Sequence, residues 1–327
     1  MASVLFIEED DIGSAWVSAL KAVLSEGDDI HTEYDTETDI AAKDSTALIS
    51  VKYPFSNPII NKRSKEHKSL KVRSKAGNSY EVFGRIEDIF LIGSIQSNYI
   101  EEVLEGINDK FIAESAKSFP YSYHDRIFSY TPFALEDSLL KDYSITLRKN
   151  EDVIHNNKLH FRKSIQLTDG NMVWKLKNGT DLILDKEIAE YYGIQELPLS
   201  VLNLPKINQI NQIIEKLQGS PNTRRAQAIT WRPYSDIISD DPPCLQRLYF
   251  RIKNKKLMLQ TTWRSRDLFK AWEANVNAMI RIQKYVADEL HDALGLEIGE
   301  YVDFSNSLHI YGRDIKDVKE VLEQIAG

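Results

Sequence analysis

The chain has 327 residues, enough to bury a large core without disulfide staples, and its 42% hydrophobic and 28% charged content is that of a folded globular protein. Basic residues number 41 against 49 acidic ones, and the formal charge of −8 argues against wholesale binding to a nucleic-acid backbone. A single cysteine excludes an internal disulfide and any multi-cysteine zinc site, and apolar runs such as Ile89–Ile92 are far too short to cross a bilayer.

The opening MASVLFIEEDD has no basic stretch and turns acidic at once, so no secretory signal and a soluble cytoplasmic protein are expected. Val4–Ile7 predicts a short strand. Trp16, Leu20, Val23 and Leu24 then recur at helical spacing, with Gly27 where the helix should end. Glu26–Asp39 holds seven acidic residues and no Lys or Arg, whereas Lys62–Lys75 holds seven basic residues and one Glu. That basic stretch reads as a solvated loop of an acidic protein, with a polyanion contact as the alternative. Over Leu159–Leu184 the short apolar runs are broken by Asp169-Gly170 and Asn178-Gly179. Both dipeptides favour tight hairpin turns and predict a three-stranded meander.

From Pro205 the signals sharpen. Ile207, Ile210, Ile213, Ile214 and Leu217 form one helix stripe, ended by Gly219 and Pro221. Ala226–Trp231 predicts a strand, and Leu245–Ile252 with Leu257–Thr262 predict a hairpin around Lys253–Lys256. Val276, Met279, Ile280, Ala287, Leu290 and Leu294 line a long helix. Ile315, Val318, Val321, Leu322 and Ile325 line a last one, with Asp314 as its expected N-cap.

No GxGxxG, Walker loop, HExxH or GxSxG motif is present, which removes the usual dinucleotide, P-loop, zincin and hydrolase readings. Reactive and anion-binding residue types gather instead in the last third: Arg224-Arg225, Pro243-Cys244, Arg264-Ser265-Arg266-Asp267, Asn275 and His309-Ile310-Tyr311. Cys244 is the only thiol. Composition alone makes a lone Cys a small core residue. Arginines near in sequence point instead to a stabilised thiolate with a lowered pKa, and they can also grip a phosphate bidentately.

The blocks PNTRRAQAITW (Pro221–Trp231), PPCLQRLYF (Pro242–Phe250), TWRSRDLFKAWEANVNA (Thr262–Ala278) and SNSLHIYGRD (Ser305–Asp314) resemble thymidylate synthase in wording, order and spacing. The variant is more similar to the short archaeal type than to the bacterial and eukaryotic one. The resemblance implies that Cys244 is the nucleophile that adds to C6 of the pyrimidine, so that C5 can take up a one-carbon unit. It assigns Arg264 to the phosphate and the thiol, Arg224 and Arg225 to the phosphate of the other subunit, and Ser265 to a further phosphate contact. Asn275 would read the N3 and O4 edge of uracil. His309 and Tyr311 would hold the sugar 3′-hydroxyl, and Asp267 would contact the folate ring. Glu102, with Glu101 as its neighbour alternative, corresponds to the glutamate that organises water and proton transfer, and Tyr123 to the tyrosine near C5.

Some positions depart from the family. Trp263 stands where the better-known enzymes have Gln, Leu245 where they often have His, and Ser305-Asn306-Ser307 replaces Gly-Gly-Asp. No arginine loop follows Gly27, so one phosphate ligand is missing or comes from Lys62–Lys75.

The expectation is one α+β domain spanning 1–327, a thymidylate-synthase-type mixed sheet with flanking helices and a small β-meander inserted at about 135–204. The expected activity is methylation of dUMP to dTMP with 5,10-methylenetetrahydrofolate or a related reduced pterin, in a homodimer, with no metal, nucleic acid or membrane. Alternatives are a C5-hydroxymethylase of dUMP, dCMP or CMP and, in another class, a non-catalytic nucleotide binder.

Overall fold

The computed structural model describes residues 4–32, 39–56, 69–73, 79–83, 98–107, 109, 121–130, 146–148, 161–168, 171–176, 181–184, 206–237 and 239–326. Strand β1 (Leu5–Glu9) leads into helix α1 (Ile12–Glu26), whose first turn is closed by the Asp11 carboxylate accepting from Ser14 N–H at 2.8 Å. The helix ends at Gly27, as its spacing predicts, but not in the left-handed conformation. There a Cβ would stand 2.5 Å from the Val23 carbonyl, so glycine is required by close approach.

Strands β2 (Asp28–Ile30) and β3 (Ala42–Val51) follow, then the antiparallel pair β4 (Ser69–Arg73) and β5 (Ser79–Phe83); β4 lies in the basic stretch, so this part of the expected loop is a strand. Two short helices, α2 (Tyr99–Glu105) and α3 (Tyr123–Phe128), precede a small sheet of β6 (Thr146–Arg148), β7 (Phe161–Thr168), β8 (Asn171–Leu176) and β9 (Asp181–Leu184). Its order is β6-β9-β8-β7, so the expected meander gains a fourth strand; residues 169–170 and 178–179 of its turns lie outside the described residues.

Helix α4 (Gln209–Gly219), strand β10 (Gln227–Ile229) and the short α5 (Pro233–Asp236) lead to the hairpin β11 (Leu245–Lys253) and β12 (Lys256–Trp263). Ile207 falls outside α4; its backbone instead bridges Tyr130. The hairpin turns on Asn254 and Lys255, both in the left-handed region at φ 52° and 59°. Strand β13 (Arg266–Asp267), the long α6 (Trp272–Leu294), β14 (Glu297–Ile310), a 3₁₀ turn at Gly312–Asp314 and α7 (Ile315–Ala326) complete the chain. Asp314 does not cap α7 as expected: its carboxylate takes Lys270 Nζ at 2.5 Å.

The main sheet is mixed, in the order β1-β3-β14-β12-β11-β10, with β2 added beside β3 and β13 beside β14. Alternate residues of every long strand are buried: Leu257, Leu259 and Trp263 on β12, Ala47, Ile49 and Val51 on β3, Leu248 and Phe250 on β11. They meet the apolar stripes of α1, α4 and α6 in one core. The architecture is therefore α+β with a mixed sheet and flanking helices.

Candidate active site

Antiparallel pairing of β11 with β12 sets Leu245 opposite Trp263, which carries Cys244 and Arg264 to the same end of the hairpin. Arg264 N–H donates to the Cys244 carbonyl at 2.8 Å. The guanidinium turns back onto the loop before the thiol. Its Nη2 donates to Pro242 O at 2.6 Å, and its Nε to Pro242 O at 3.2 Å and Pro243 O at 3.3 Å. Asp241 stands 3.6 Å from the same guanidinium.

Cys244 is half-buried against the core. Burial pushes its thiol up; Arg264 opposes this most, with Arg266 adding to it, while Asp241 works with burial. The expected depression of the thiol pKa is thus corrected. The arginine acts in the anticipated direction, but desolvation outweighs it.

Two tyrosines from the start of α3 face this end. Tyr123 Oη accepts the Leu245 N–H at 3.2 Å, and its ring meets Trp263 edge-on at 6.0 Å. Tyr121, which the sequence did not single out, lies with its ring 5.4 Å from that of Tyr123, and its hydroxyl feels both Tyr123 and the Cys244 thiol. Burial pushes both phenols up, so both stay neutral. A buried ion pair anchors α3: Arg126 Nη1 and Nη2 meet the two Asp236 oxygens at 2.7 and 2.8 Å.

Asn275 lies in the first turn of α6, and its Nδ2 donates to Tyr99 Oη at 2.5 Å. Tyr99 opens α2 and also escaped the sequence reading. Burial raises its hydroxyl well above the ordinary phenol range, and Tyr123, Arg266 and Glu102 all act on it electrostatically. Glu102 is three residues on, on the same helix face, and half-buried; Glu101 is buried.

Behind the thiol, Arg266 is fully buried. Its Nη1 donates to Asp303, its Nη2 to the Trp272 carbonyl at 3.3 Å, and its guanidinium lies 3.6 Å from the Trp263 ring centroid. Asp303 also accepts from Tyr301 Oη at 2.9 Å and Ser305 Oγ at 3.0 Å, and Thr261 joins Tyr301 to the Trp263 indole. The replacements Trp263 and Ser305 therefore belong to one buried polar network around Arg266.

A second cluster forms where β13 runs parallel to β14 and sets Asp267 beside His309. Asp267 Oδ1 accepts from the Phe269 and Lys270 N–H groups at 3.0 and 2.9 Å. His309 Nδ1 lies 3.4 Å from Ser307 Oγ, which donates to Asp44. His309 is 8% exposed, its Nε2 buried with no hydrogen bond, and its ring meets Tyr311 edge-on at 4.7 Å. Burial lowers the His309 pKa, with Asp267 and Asp44 opposing; it raises those of Asp267 and Asp44.

Arg224 and Arg225 are exposed on the loop after α4 and form no ion pair among the described residues. Ser265, half-buried, sits between Arg264 and β13. Among the described residues no group of three or more His, Cys, Asp or Glu could hold a metal ion, and no helix is long and apolar enough to cross a membrane. Residues 62–68 and 74–75 of the basic stretch lie outside the described residues.

A family model for thymidylate synthase matches residues 150–326, more than half of the chain, starting inside the stretch expected to be an insertion. A Methanocaldococcus jannaschii protein named "Putative thymidylate synthase" is 35% identical over 164 residues, covering 48% of this chain and 68% of that protein. Proteins of the same name from Methanothermobacter marburgensis and Methanosarcina barkeri are 33% identical over 117 residues (36% of this chain) and 36% identical over 120 residues (37% of this chain). The chain spans about half the length of these two relatives, 51% and 54%. An α+β mixed sheet with a thiol and a guanidinium at one hairpin end agrees with that match. The chain belongs to the thymidylate synthase family.

Proposed function

We propose that this protein transfers a one-carbon unit from a reduced folate to C5 of a pyrimidine nucleotide monophosphate, converting dUMP to dTMP through a covalent bond between Cys244 Sγ and C6. The observation that carries the reading is the β11–β12 register, which sets a lone thiol beside a guanidinium with two neutral tyrosines over the same loop.

Covalent addition divides one difficult substitution into addition, capture and elimination. Addition needs the thiolate. Burial keeps the Cys244 thiol protonated at rest, and Arg264 and Arg266 stabilise the charge when the proton leaves. Negative charge then develops on the base, where the Asn275 amide can donate to O4 and accept from N3–H. Tyr123 and Tyr121 stay neutral, so they can only relay the C5 proton to solvent, while Glu102 acts electrostatically on the Tyr99 hydroxyl from α2. His309 and Tyr311 take the sugar hydroxyl, His309 through its free Nε2.

Asp267 commits Oδ1 to backbone N–H groups and leaves Oδ2 for the N–H donors of a pterin, a donor set that fits a reduced folate. When bound, 5,10-methylenetetrahydrofolate supplies the one-carbon unit and the hydride.

Arg224 and Arg225 serve the phosphate of a second copy, with Ser265 on the phosphate in cis. Two features support a homodimer: both arginines are exposed, and Phe6, 65% exposed, lies on the sheet face away from α1 and α6 together with the half-buried Leu48, Phe304 and Met258. Mixing inactive Cys244→Ala and Arg224→Ala chains should restore roughly a quarter of wild-type activity, since half the dimers are mixed and each has one intact site. No recovery after subunit exchange would show that the phosphate is bound in cis.

The reading is tested by tritium release from C5-labelled dUMP with methylenetetrahydrofolate, followed by the mass of the product. Release with a dTMP mass supports it. A 5-hydroxymethyl product moves the reaction to a hydroxymethylase, and no release overturns C5 chemistry altogether.

A further inference from the structure

We infer that Tyr99 fixes the orientation of the Asn275 amide and so makes this site choose uracil over cytosine. The inference rests on the proposed reading of Asn275 as the base-recognition residue and adds a residue that sets its sense.

An Asn side chain can read either pyrimidine, because turning the amide over exchanges its donor and acceptor. Uracil offers O4 as acceptor and N3–H as donor; cytosine offers an amino donor and a bare N3. Discrimination therefore needs something that stops the amide from turning. In this structure the Asn275 nitrogen is held on Tyr99 Oη at 2.5 Å. A phenol has one proton, so it can accept from Asn275 only if that proton points elsewhere.

The surroundings supply the elsewhere. Glu102, one helical turn along α2, acts on the same hydroxyl, as does the Tyr123 oxygen. A Tyr99 hydroxyl that accepts from Asn275 Nδ2 has its proton turned away and a lone pair facing the amide. With Nδ2 pinned on that side, its second hydrogen meets O4 and Oδ1 meets N3–H, which is the uracil pattern. The cytosine pattern needs Oδ1 on the Tyr99 side and thus a Tyr99 that donates to it. Tyr99 is a positioning residue: it acts through Asn275.

The test is calorimetric binding of dUMP and of dCMP to the wild-type protein and to Tyr99→Phe, a change that removes the hydroxyl and keeps the ring. The wild type should prefer dUMP by about 10-fold or more, the worth of one buried polar group left unpaired. Tyr99→Phe should bring that ratio close to one, with dCMP binding tightened. A merely structural role would weaken both nucleotides together and leave the ratio unchanged, and that result in a folded variant overturns the inference. Glu102→Gln provides the second arm. It removes the charge that acts on the Tyr99 hydroxyl, frees the proton to turn toward Asn275 and should also raise dCMP affinity relative to dUMP. An unchanged ratio there counts against the proton direction argued above. A wild type that binds neither nucleotide overturns the reading of the site itself, a different result from a wild type that prefers dUMP with variants that do the same.

Discussion

Around Cys244 the nearest fixed charges are mainly positive, Arg264 on the loop and Arg266 buried behind it, with Asp241 as the counterweight. Around His309 they are negative, Asp44 and Asp267, and burial keeps the histidine itself neutral. Both ends are assembled on the same sheet, one at β11–β12 and the other at β13–β14. The difference shows how one sheet can be polar in two ways. The first end suits a negative charge, as the proposed covalent step requires. The second offers a neutral histidine beside carboxylate acceptors, which suits hydroxyl groups.

The sharpest break of this contrast is Cys244→Ala. No second thiol exists to replace it, so turnover should fall by ~10⁴-fold or more, the scale seen when a nucleophile is removed. Nucleotide binding, which the proposed reading places on the arginines and on the His309 end, should change little. Tritium release and calorimetry on one preparation measure both. Retained turnover would sink the assignment of the thiol.

Next comes the support behind the thiol. Asp303→Ala leaves Arg266 buried without its carboxylate and should destabilise the fold by about 3–5 kcal/mol, as single-partner deletions of buried pairs do. Removing the exposed Lys284–Asp288 pair should cost under ~1 kcal/mol. Urea unfolding of both variants makes the comparison, and equal losses would show that the Arg266 network carries no special share of stability.

Arg264→Met should act on the thiol without unfolding the chain. Loss of the charge that most opposes burial raises the Cys244 pKa further, so the pH profile of alkylation by iodoacetamide moves to higher pH. A profile that stays in place would remove Arg264 from the account of thiol reactivity.

The smallest effect is at the other end. His309 has a lowered pKa in the fold, so the unfolded chain takes up its proton first as pH falls. Stability from this group is complete above the ordinary histidine value of 6.5 and is lost as pH drops below it toward the folded pKa. Asp44 and Asp267, with raised pKa values, have the opposite sign: the folded state takes up their protons first, and acid favours it. His309→Gln should therefore flatten the fall in Tm between pH 7 and pH 5. An unchanged slope would show that His309 does not contribute to it.

Local pattern was enough for the elements that position the site. Period-two burial and the turn at Asn254-Lys255 define the hairpin, and with it the meeting of Cys244 and Arg264. Helical stripes define α1, α4 and α6, and ordered blocks of residue types carry the family. What the sequence could not supply is partnership across distance. Tyr99 and Asn275 are 176 positions apart, and Arg266 and Asp303 are 37 apart. Asp314 has a helix start next to it, yet its carboxylate goes to Lys270, 44 positions away. The direction of the Cys244 shift is of the same kind. A neighbouring arginine can be read from sequence order, but the desolvation that outweighs it is a property of the packed surroundings, and only the tertiary structure decides how much water each group has lost.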